Sequence, residues 1–407
     1  MCLPIQDAVR TSVLSSKWRY NWVNLPQLIF DDNLCKMSGR YQWPTQEKLV
    51  MIISQVLLLH RGPIHKFTLS ISELESCYEI DQFILFVSKN GVREFTLQIS
   101  KGVVHKLPSS FFSCLQLTHL DLWNCVFRPL STFQGFSKLT SLVLGQVIIS
   151  SFMLASLISS SPLLEQLTIE SSVTFYYLEI VAPNLKVLRT RALFKSVHCL
   201  KTPHLAILSI TLKVPTIGEE TSNMIKVFDS LPVENLHIDN HYVKSLATDG
   251  IPERLPTTLN RLQILKLADI CFADLKVVTC VLLLICSSPN LQEVEITLRG
   301  YDRPNSEMDL VLEFLMLEGY SDFSLKQLRK VEIQYVSGMN TELEFIKLVL
   351  AKSPKLENMV IMPDLRKVSN RGLEITKKVI QFRRASPNAE IMYDDTYADP
   401  IAASYYW

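Results

Sequence analysis

The sequence predicts an α/β solenoid in which short parallel strands stack edge to edge and helices cover one side of them. Three observations lead there. A six-residue pattern, apolar-x-x-apolar-x-apolar, recurs twelve times, successive starts lie 20 to 37 residues apart, and amphipathic stretches fill the intervals. A repeat period of about 20 to 29 residues is the signature of leucine-rich repeats, each of which buries its apolar face by stacking on its neighbours.

The pattern reads IHKFTL from Ile64, VREFTL from Val92, LTHLDL from Leu117, LTSLVL from Leu139, LEQLTI from Leu164 and LKVLRT from Leu185, the last ending on Thr190. It continues as LAILSI from Leu205, VENLHI from Val233, LQILKL from Leu262, LQEVEI from Leu291, LRKVEI from Leu328 and LENMVI from Leu356. The last two apolar positions are two residues apart, so a strand directs both to one face and the residue between them to the other. Between units, DQFILFVSKN, SFMLASLISSSP, TSNMIKVFDSLP and TELEFIKLVLAKSP repeat apolar residues three to four apart, the spacing of an amphipathic helix. Ser161-Pro162, Ala182-Pro183, Thr202-Pro203, Ser288-Pro289 and Ser353-Pro354 stand just before repeat starts, where proline stops a helix from running on. One helix and one strand per repeat is the expectation, with a surface loop in the long interval that holds GYDRPNSEMD.

The first 30 residues follow a different logic. Val9, Val13 and Leu14 recur at helical spacing, and Trp18 and Trp22 lie four residues apart on one face. Asp7 suits the N-cap of a helix beginning near Ala8, and Ser15 or Ser16 suits the start of a second. From periodicity, the two tryptophans either seal the first repeat or meet a separate partner.

Composition excludes several classes. Forty-one Lys plus Arg against 40 Asp plus Glu leaves a formal charge of +1, with no global attraction for nucleic acid or an acidic membrane. Twelve Gly, 19 Pro and 48% hydrophobic residues in 407 describe a chain that folds. Val277 to Cys286, the longest strongly apolar run, is about half of what spans a bilayer, and MCLPIQDAVRTS carries no apolar signal core. Neither secretion nor a membrane span is expected. Nine cysteines without CxxC, in contexts such as FSCLQL and VVTCVLLLIC, suggest reduced, buried thiols.

Eight histidines occur without HExxH, and GxxxxGK[ST], GxGxxG and GxSxG are missing. His237, Asp239 and His241 in HIDNHY form the closest polar cluster, expected on an exposed strand face as a polar strand end or contact surface. Lys377, Lys378, Arg383 and Arg384 fit a solvated helix face better than a nucleic-acid track. No catalytic site, metal or cofactor is expected.

The N-terminal stretch LPIQDAVRTSVLSSKWRYNW resembles the middle and end of a plant F-box, particularly that of the F-box, leucine-rich-repeat and FBD protein family. QLIFDD at Gln27 to Asp32 and GPIHKFTLSI at Gly62 to Ile71 match that family's continuation. SLKQLRKVEIQYVSGMNTELEFIKLVLAKSPKLENMVI, Ser324 to Ile361, resembles the start of its FBD region. The resemblance implies a noncatalytic substrate-recognition adaptor of an SKP1–cullin–F-box ubiquitin ligase, working in the nucleus and/or cytoplasm. Its partners would be an SKP1-like protein, a cullin indirectly and a protein substrate held by the repeats, with no nucleic acid and no membrane. Matching the motif, the SKP1-binding residues would be Leu3, Pro4, Ile5, Ala8, Val9, Ser12, Val13, Leu14, Ser15, Trp18 and Trp22.

The family's F-box carries a further Leu-Pro and an amphipathic helix ahead of the matching LPIQDAV, so the N-terminal part of that motif is missing here. An incompletely read gene is the expected reason. The alternative is a repeat scaffold for protein interaction that has lost SKP1 binding with the missing contacts. The expected organisation is a partial, all-helical F-box over 1–30, a linker and N-terminal cap over 31–61, a leucine-rich-repeat array over 62–323, an FBD-like region over 324–396 continuing the solenoid, and a tail over 397–407.

Overall fold

A computed structural model describes residues 21–34, 45–212, 232–246, 258–299, 307–316, 324–368 and 372–394. The chain divides into two compact units, Met1–Leu205 and Ala206–Trp407.

In the first unit the strands are β1 (Gln27–Asp31), β2 (Lys66–Glu75), β3 (Glu94–Lys101), β4 (His105–Lys106), β5 (His119–Trp123), β6 (Cys125–Val126), β7 (Ser141–Gly145), β8 (Gln166–Val181) and β9 (Val187–Leu200). β1, β2, β3, β5, β7, β8 and β9 lie side by side in that order, all parallel. Register follows the repeat: Lys66 pairs with Glu94, Glu94 with His119, His119 with Ser141, Ser141 with Gln166 and Gln166 with Val187. Each strand therefore sends its two pattern residues into one core, where Phe67, Leu69, Phe95, Leu97, Leu120 and Leu122 are all buried. Thr190, in the weakened position, is buried with them.

Helices α1 (Gln46–Leu59), α2 (Tyr78–Ser88) and α3 (Ser151–Ser159) back these strands. α2 buries Ile80, Phe83, Ile84 and Val87, the i, i+3, i+4, i+7 set of an amphipathic helix. Elsewhere the expectation of one helix per repeat fails. Between β3 and β5 a 3-10 turn, Ser109–Ser113, inserts Phe111 and Phe112 into the core, while β4 and β6 form a small parallel ladder. Between β8 and β9 there is no helix. The two strands run on together past a register slip between Glu170 and Thr174. Length permits this without dictating it: the helix-free repeats span 20 to 25 residues, while the 25-residue repeat that starts at Leu139 still holds the 9-residue α3.

The second unit holds β10 (Ile207–Thr211), β11 (Asn235–Asp239), β12 (Ile264–Ile270), β13 (Glu293–Leu298), β14 (Lys330–Val336), β15 (Asn358–Pro363) and β16 (Glu390–Tyr393), again parallel and in sequence order. Its helices are α4 (Asn240–Leu246), α5 (Leu275–Cys286), α6 (Glu307–Met316), α7 (Asn340–Lys352) and α8 (Leu373–Ile380). α5 contains the apolar run noted above, and every residue from Val277 to Ile285 is buried, as a helix apolar on all sides requires. Among the described residues no helix is long and apolar enough to cross a membrane. The TSNMIKVFDSL stretch and residues 300–306 of the predicted loop lie outside the described residues.

Ser-Pro dipeptides do more than stop helices. Ser161 donates to the Leu157 carbonyl at 2.9 Å, Ser288 to Leu284 at 2.6 Å and Ser353 to Val349 at 2.7 Å. In each case the hydroxyl satisfies one of the carbonyls left without a partner at a helix C-terminus. Beyond α8, Ser386 donates instead across the stack, to the Leu356 carbonyl at 2.7 Å.

Candidate interaction surfaces

Ten of the eleven predicted SKP1-contact residues, Leu3 to Trp18, lie outside the described residues. Trp22 is half-buried in a 3-10 turn, Asn21–Asn24, whose carbonyl at Trp22 accepts from Leu25 N at 3.2 Å. The adjoining Val23 is buried, and its carbonyl accepts from Arg61 N at 2.8 Å. A side chain at Gly62 would bring its Cβ to 3.0 Å from the Asn24 Cα, so the smallest residue sits where this turn crosses the entry to β2.

On the outward face of the first unit's strands, Ser70 Oγ donates to Gln98 Oε1 at 2.6 Å and Gln98 Nε2 donates to Asp121 at 3.0 Å. Burial pushes the Asp121 carboxyl up against the lowering effect of its bonds from Gln98 and Trp123. The Trp123 ring lies over Gly145 so closely that a Cβ there would fall 2.1 Å from it. On the matching face of the second unit, Lys266 and Glu295 pair at 2.7 Å. Ser70 and Gln98 are directly opposite, as are Lys266 and Glu295, whereas Gln98 reaches Asp121 diagonally, since its own partner on β5 is Trp123.

The HIDNHY cluster requires a correction. His237 and Asp239 are buried rather than displayed on an exposed strand face, and His241 belongs to α4. His237 Nδ1 lies 3.0 Å from Ser209 Oγ. Asp239 accepts from Leu212 N and Tyr242 N, both at 2.9 Å, so it caps α4 and holds the end of β10 with one carboxylate. Asn240 accepts from Cys271 N at 3.2 Å, carrying the tie onward to the next repeat. The cluster is a fastener between repeats.

Burial outweighs those hydrogen bonds and pushes the Asp239 carboxyl up to about 7, with Asp269 contributing repulsion. Unfolded, the group titrates near 3.8, so between about pH 4 and 7 the folded chain holds the extra proton. Stability from this group therefore falls as pH rises through that window. Asp239→Asn lacks the titration, and the Tm advantage of wild type over the variant is expected to shrink from pH 5 to pH 8 in calorimetric scans. A constant difference contradicts the assignment.

Two further polar clusters carry no sequence motif. Ser76 Oγ lies 3.0 Å from His105 Nδ1, and Asp81 lies 3.2 Å from Nε2, joining the start of α2 to β4. Burial lowers the His105 pKa despite the opposing carboxylate of Asp81. Glu342, also buried, accepts from Ser337 N, Ser337 Oγ, Gly338 N and Met339 N at 2.9, 2.9, 2.8 and 3.2 Å.

The basic segment agrees with a solvated face. Lys377 pairs with Glu374 at 3.0 Å, Lys378 and Arg383 are exposed, and Arg384 donates to the Ala389 carbonyl at 3.1 Å. Among the described residues no three His, Cys, Asp or Glu side chains gather to hold a metal ion. Burial pushes the thiols of Cys114 and Cys125 up to about 12 and those of Cys280 and Cys286 up to about 11, which keeps them protonated and unreactive at neutral pH.

Parallel strands at a leucine-rich period define a leucine-rich-repeat protein. The family model described as FBD-associated F-box protein At5g56370, LRR repeats, matches residues 80–296. F-box/FBD/LRR-repeat protein At1g13570 of Arabidopsis thaliana is 37% identical over 400 residues, covering 96% of this chain and 94% of the relative. Putative F-box/LRR-repeat protein At4g15060 of the same plant is 26% identical over 384 residues, 85% of this chain and 87% of its own. The chain belongs to the plant F-box/FBD/LRR-repeat family.

Proposed function

We propose that this protein is a noncatalytic substrate-recognition adaptor of an SKP1–cullin–F-box ubiquitin ligase, acting in the nucleus and/or cytoplasm. The observation that carries the proposal is likeness along nearly the whole chain to a protein named for F-box, FBD and leucine-rich repeats together. In this reading the N-terminal segment docks an SKP1-like protein, a cullin joins through SKP1, and the repeats hold a protein substrate. Ubiquitin transfer is then chemistry of the partners. Within each unit the parallel strands suit the role because their outward residues and the loops between them recur from repeat to repeat.

Leu3, Pro4, Ile5, Ala8, Val9, Ser12, Val13, Leu14, Ser15, Trp18 and Trp22 are proposed to form the SKP1 contact. Aromatic anchors carry a disproportionate share of interface energy, about 2 kcal/mol or more each when buried. Leu14→Ala combined with Trp18→Ala is expected to weaken SKP1 binding at least tenfold in calorimetric titration, with the circular-dichroism melt of the repeats unchanged. Equal affinity of variant and wild type contradicts this contact assignment.

A further inference from the structure

The segments that follow the strands of the first unit, loops in the middle repeats and the first turns of α2 and α3 at the two ends, each present large exposed apolar side chains. Tyr78 is 72% exposed, Val103 75%, Leu130 63% and Phe152 80%, with Ile148 at 42% between the last two. They fall 9 to 14 residues after the starts of four successive repeats, at Ile64, Val92, Leu117 and Leu139. Scattered surface apolar residues are ordinary, but large exposed apolar residues on the same side of four adjacent repeats are more than scatter.

Hydrogen bonds make the row continuous. Ser76 reaches His105 at 3.0 Å, and a Cβ on Gly102 would meet the Glu75 side chain at 3.3 Å, so the loop of Tyr78 lies against the loop of Val103. His105 N donates to the Asn124 carbonyl and Leu107 N to Val126, joining that loop to the next. Phe127 N donates to Ile148 and Ile148 N to Cys125, joining the third to the fourth. Beneath them Phe112, Phe127 and Phe133 pack at centroid distances of 5.2 to 6.2 Å, which stiffens the platform. In the second unit the corresponding positions Leu246 and Thr341 are buried, and buried acids such as Asp239 and Glu342 tie those loops shut.

Charge runs along the row in one direction. Glu75 and Glu79 flank Tyr78, whereas exposed Lys106 and Arg128 lie toward Leu130. Glu73 at the first end is already paired with Lys101, and Asp81 with His105. Four neighbouring repeats at about 4.8 Å spacing cover roughly 14 Å, close to the distance of about 15 Å between residues i and i+10 of a helix at 1.5 Å rise. The loop amides named above already bond to neighbouring loops, so an extended peptide finds no free strand edge here. A helix, whose backbone is satisfied internally, binds through side chains alone.

We propose that this row is the seat for an amphipathic helix of the protein substrate, with large apolar residues at i, i+3, i+7 and i+10, a lysine or arginine at the Tyr78 end and an acidic residue at the Arg128 end. The proposal rests on the adaptor reading and adds the contacting face and the chemistry of the partner.

The probe is a displayed library of 16-residue helix-forming peptides, selected on the full chain without SKP1 and then measured by fluorescence anisotropy. Selected peptides are expected to carry that apolar spacing and charge order. They are expected to lose at least tenfold in affinity for Tyr78→Ser with Phe152→Ser, and to bind Leu373→Ser with Ile380→Ser, a control on the exposed apolar side of α8, as they bind wild type. Photo-crosslinking of the peptide to wild type is expected to label residues 75–79 and 126–152, a readout independent of how the variant folds. Peptides without the pattern, equal loss with the control, labels elsewhere, or a wild-type dimer dissolved by Tyr78→Ser with Phe152→Ser would each overturn the proposal. Peptide capture intact in a chain that fails to bind SKP1 counts against the adaptor reading and leaves the seat standing.

Discussion

Replacing Phe111 with alanine is expected to remove about 3–5 kcal/mol of folding stability, the range for truncating a fully buried aromatic ring. Phe111 has no exposed surface, and its ring centroid lies 5.3 Å from those of Phe95 and Phe112 and 5.9 Å from that of Phe136. Those partners come from β3, the 3-10 turn itself and the chain before β7, so the ring joins successive repeats where no helix backs the strands. The surrounding phenylalanines are braced by one another and collapse poorly into the void, which places the cost high in that range. Urea unfolding followed by circular dichroism checks it. Phe111→Leu, which restores part of the volume, is expected to recover at least half of the lost stability, and an unshifted midpoint for Phe111→Ala contradicts the role.

Glu342→Ala is expected to cost about 3 kcal/mol. One carboxylate accepts from three backbone amides and a hydroxyl in the Ser337–Met339 turn that leads into α7. Hydrogen bonds to a charged group contribute about 1.5–3 kcal/mol each in isolation, and buried donors left without an acceptor lose about 1–3 kcal/mol, part of which water recovers when alanine opens the site. Burial raises the carboxyl's pKa and so subtracts from the net gain. Glu342→Gln is expected to fall short of full rescue, because all three amides donate to one carboxylate oxygen, and a neutral amide carbonyl in its place is the weaker, uncharged acceptor. Gly338, at φ +84°, forms the same turn, and its geometry is tolerated by glycine alone at low cost. Thermal melts of both variants against wild type test the pair. A Tm for Glu342→Gln equal to wild type contradicts the acceptor role.

These two residues mark where the sequence is legible and where it is not. Alternation in LTHLDL or LQILKL assigns an inward face without knowledge of the partner strand, and recurrence of the same six-residue unit then sets register, so β2, β3, β5 and β7 to β15 follow from local pattern while the short β4 and β6 do not. Helices are legible where an amphipathic stretch fills the interval, as at α2, α3 and α7, and the rule of one helix per repeat fails in the repeats that start at Val92, Leu117, Leu164 and Leu185. Phe111 and Phe112 follow Ser109 and Ser110 in a stretch with no period, so nothing local marks them as core.

Buried polar groups are harder still. Asp239 in HIDNHY looks like a polar strand end, yet its carboxylate serves an amide 27 residues earlier in the sequence as well as its own helix. The accepting geometry exists only after the repeats have stacked, and a single sequence gives no distance between repeats. The exposed row from Tyr78 to Phe152 is hidden for the converse reason: its members sit in loops and in first turns of helices at unequal distances from the repeat starts, and the small ladder of β4, β6 and Ile148 joins the segments between them. The proposed docking segment rests on its resemblance to a known motif, whereas periodicity leaves its two tryptophans with two roles.

The central claim is that this chain couples a repeat body to a ubiquitin ligase through SKP1. Co-precipitation of the full-length protein with SKP1 and cullin from plant cells tests it most directly. The account predicts recovery of both partners at the level of an established F-box protein handled in parallel. No SKP1 recovered under conditions where that F-box protein binds would contradict it.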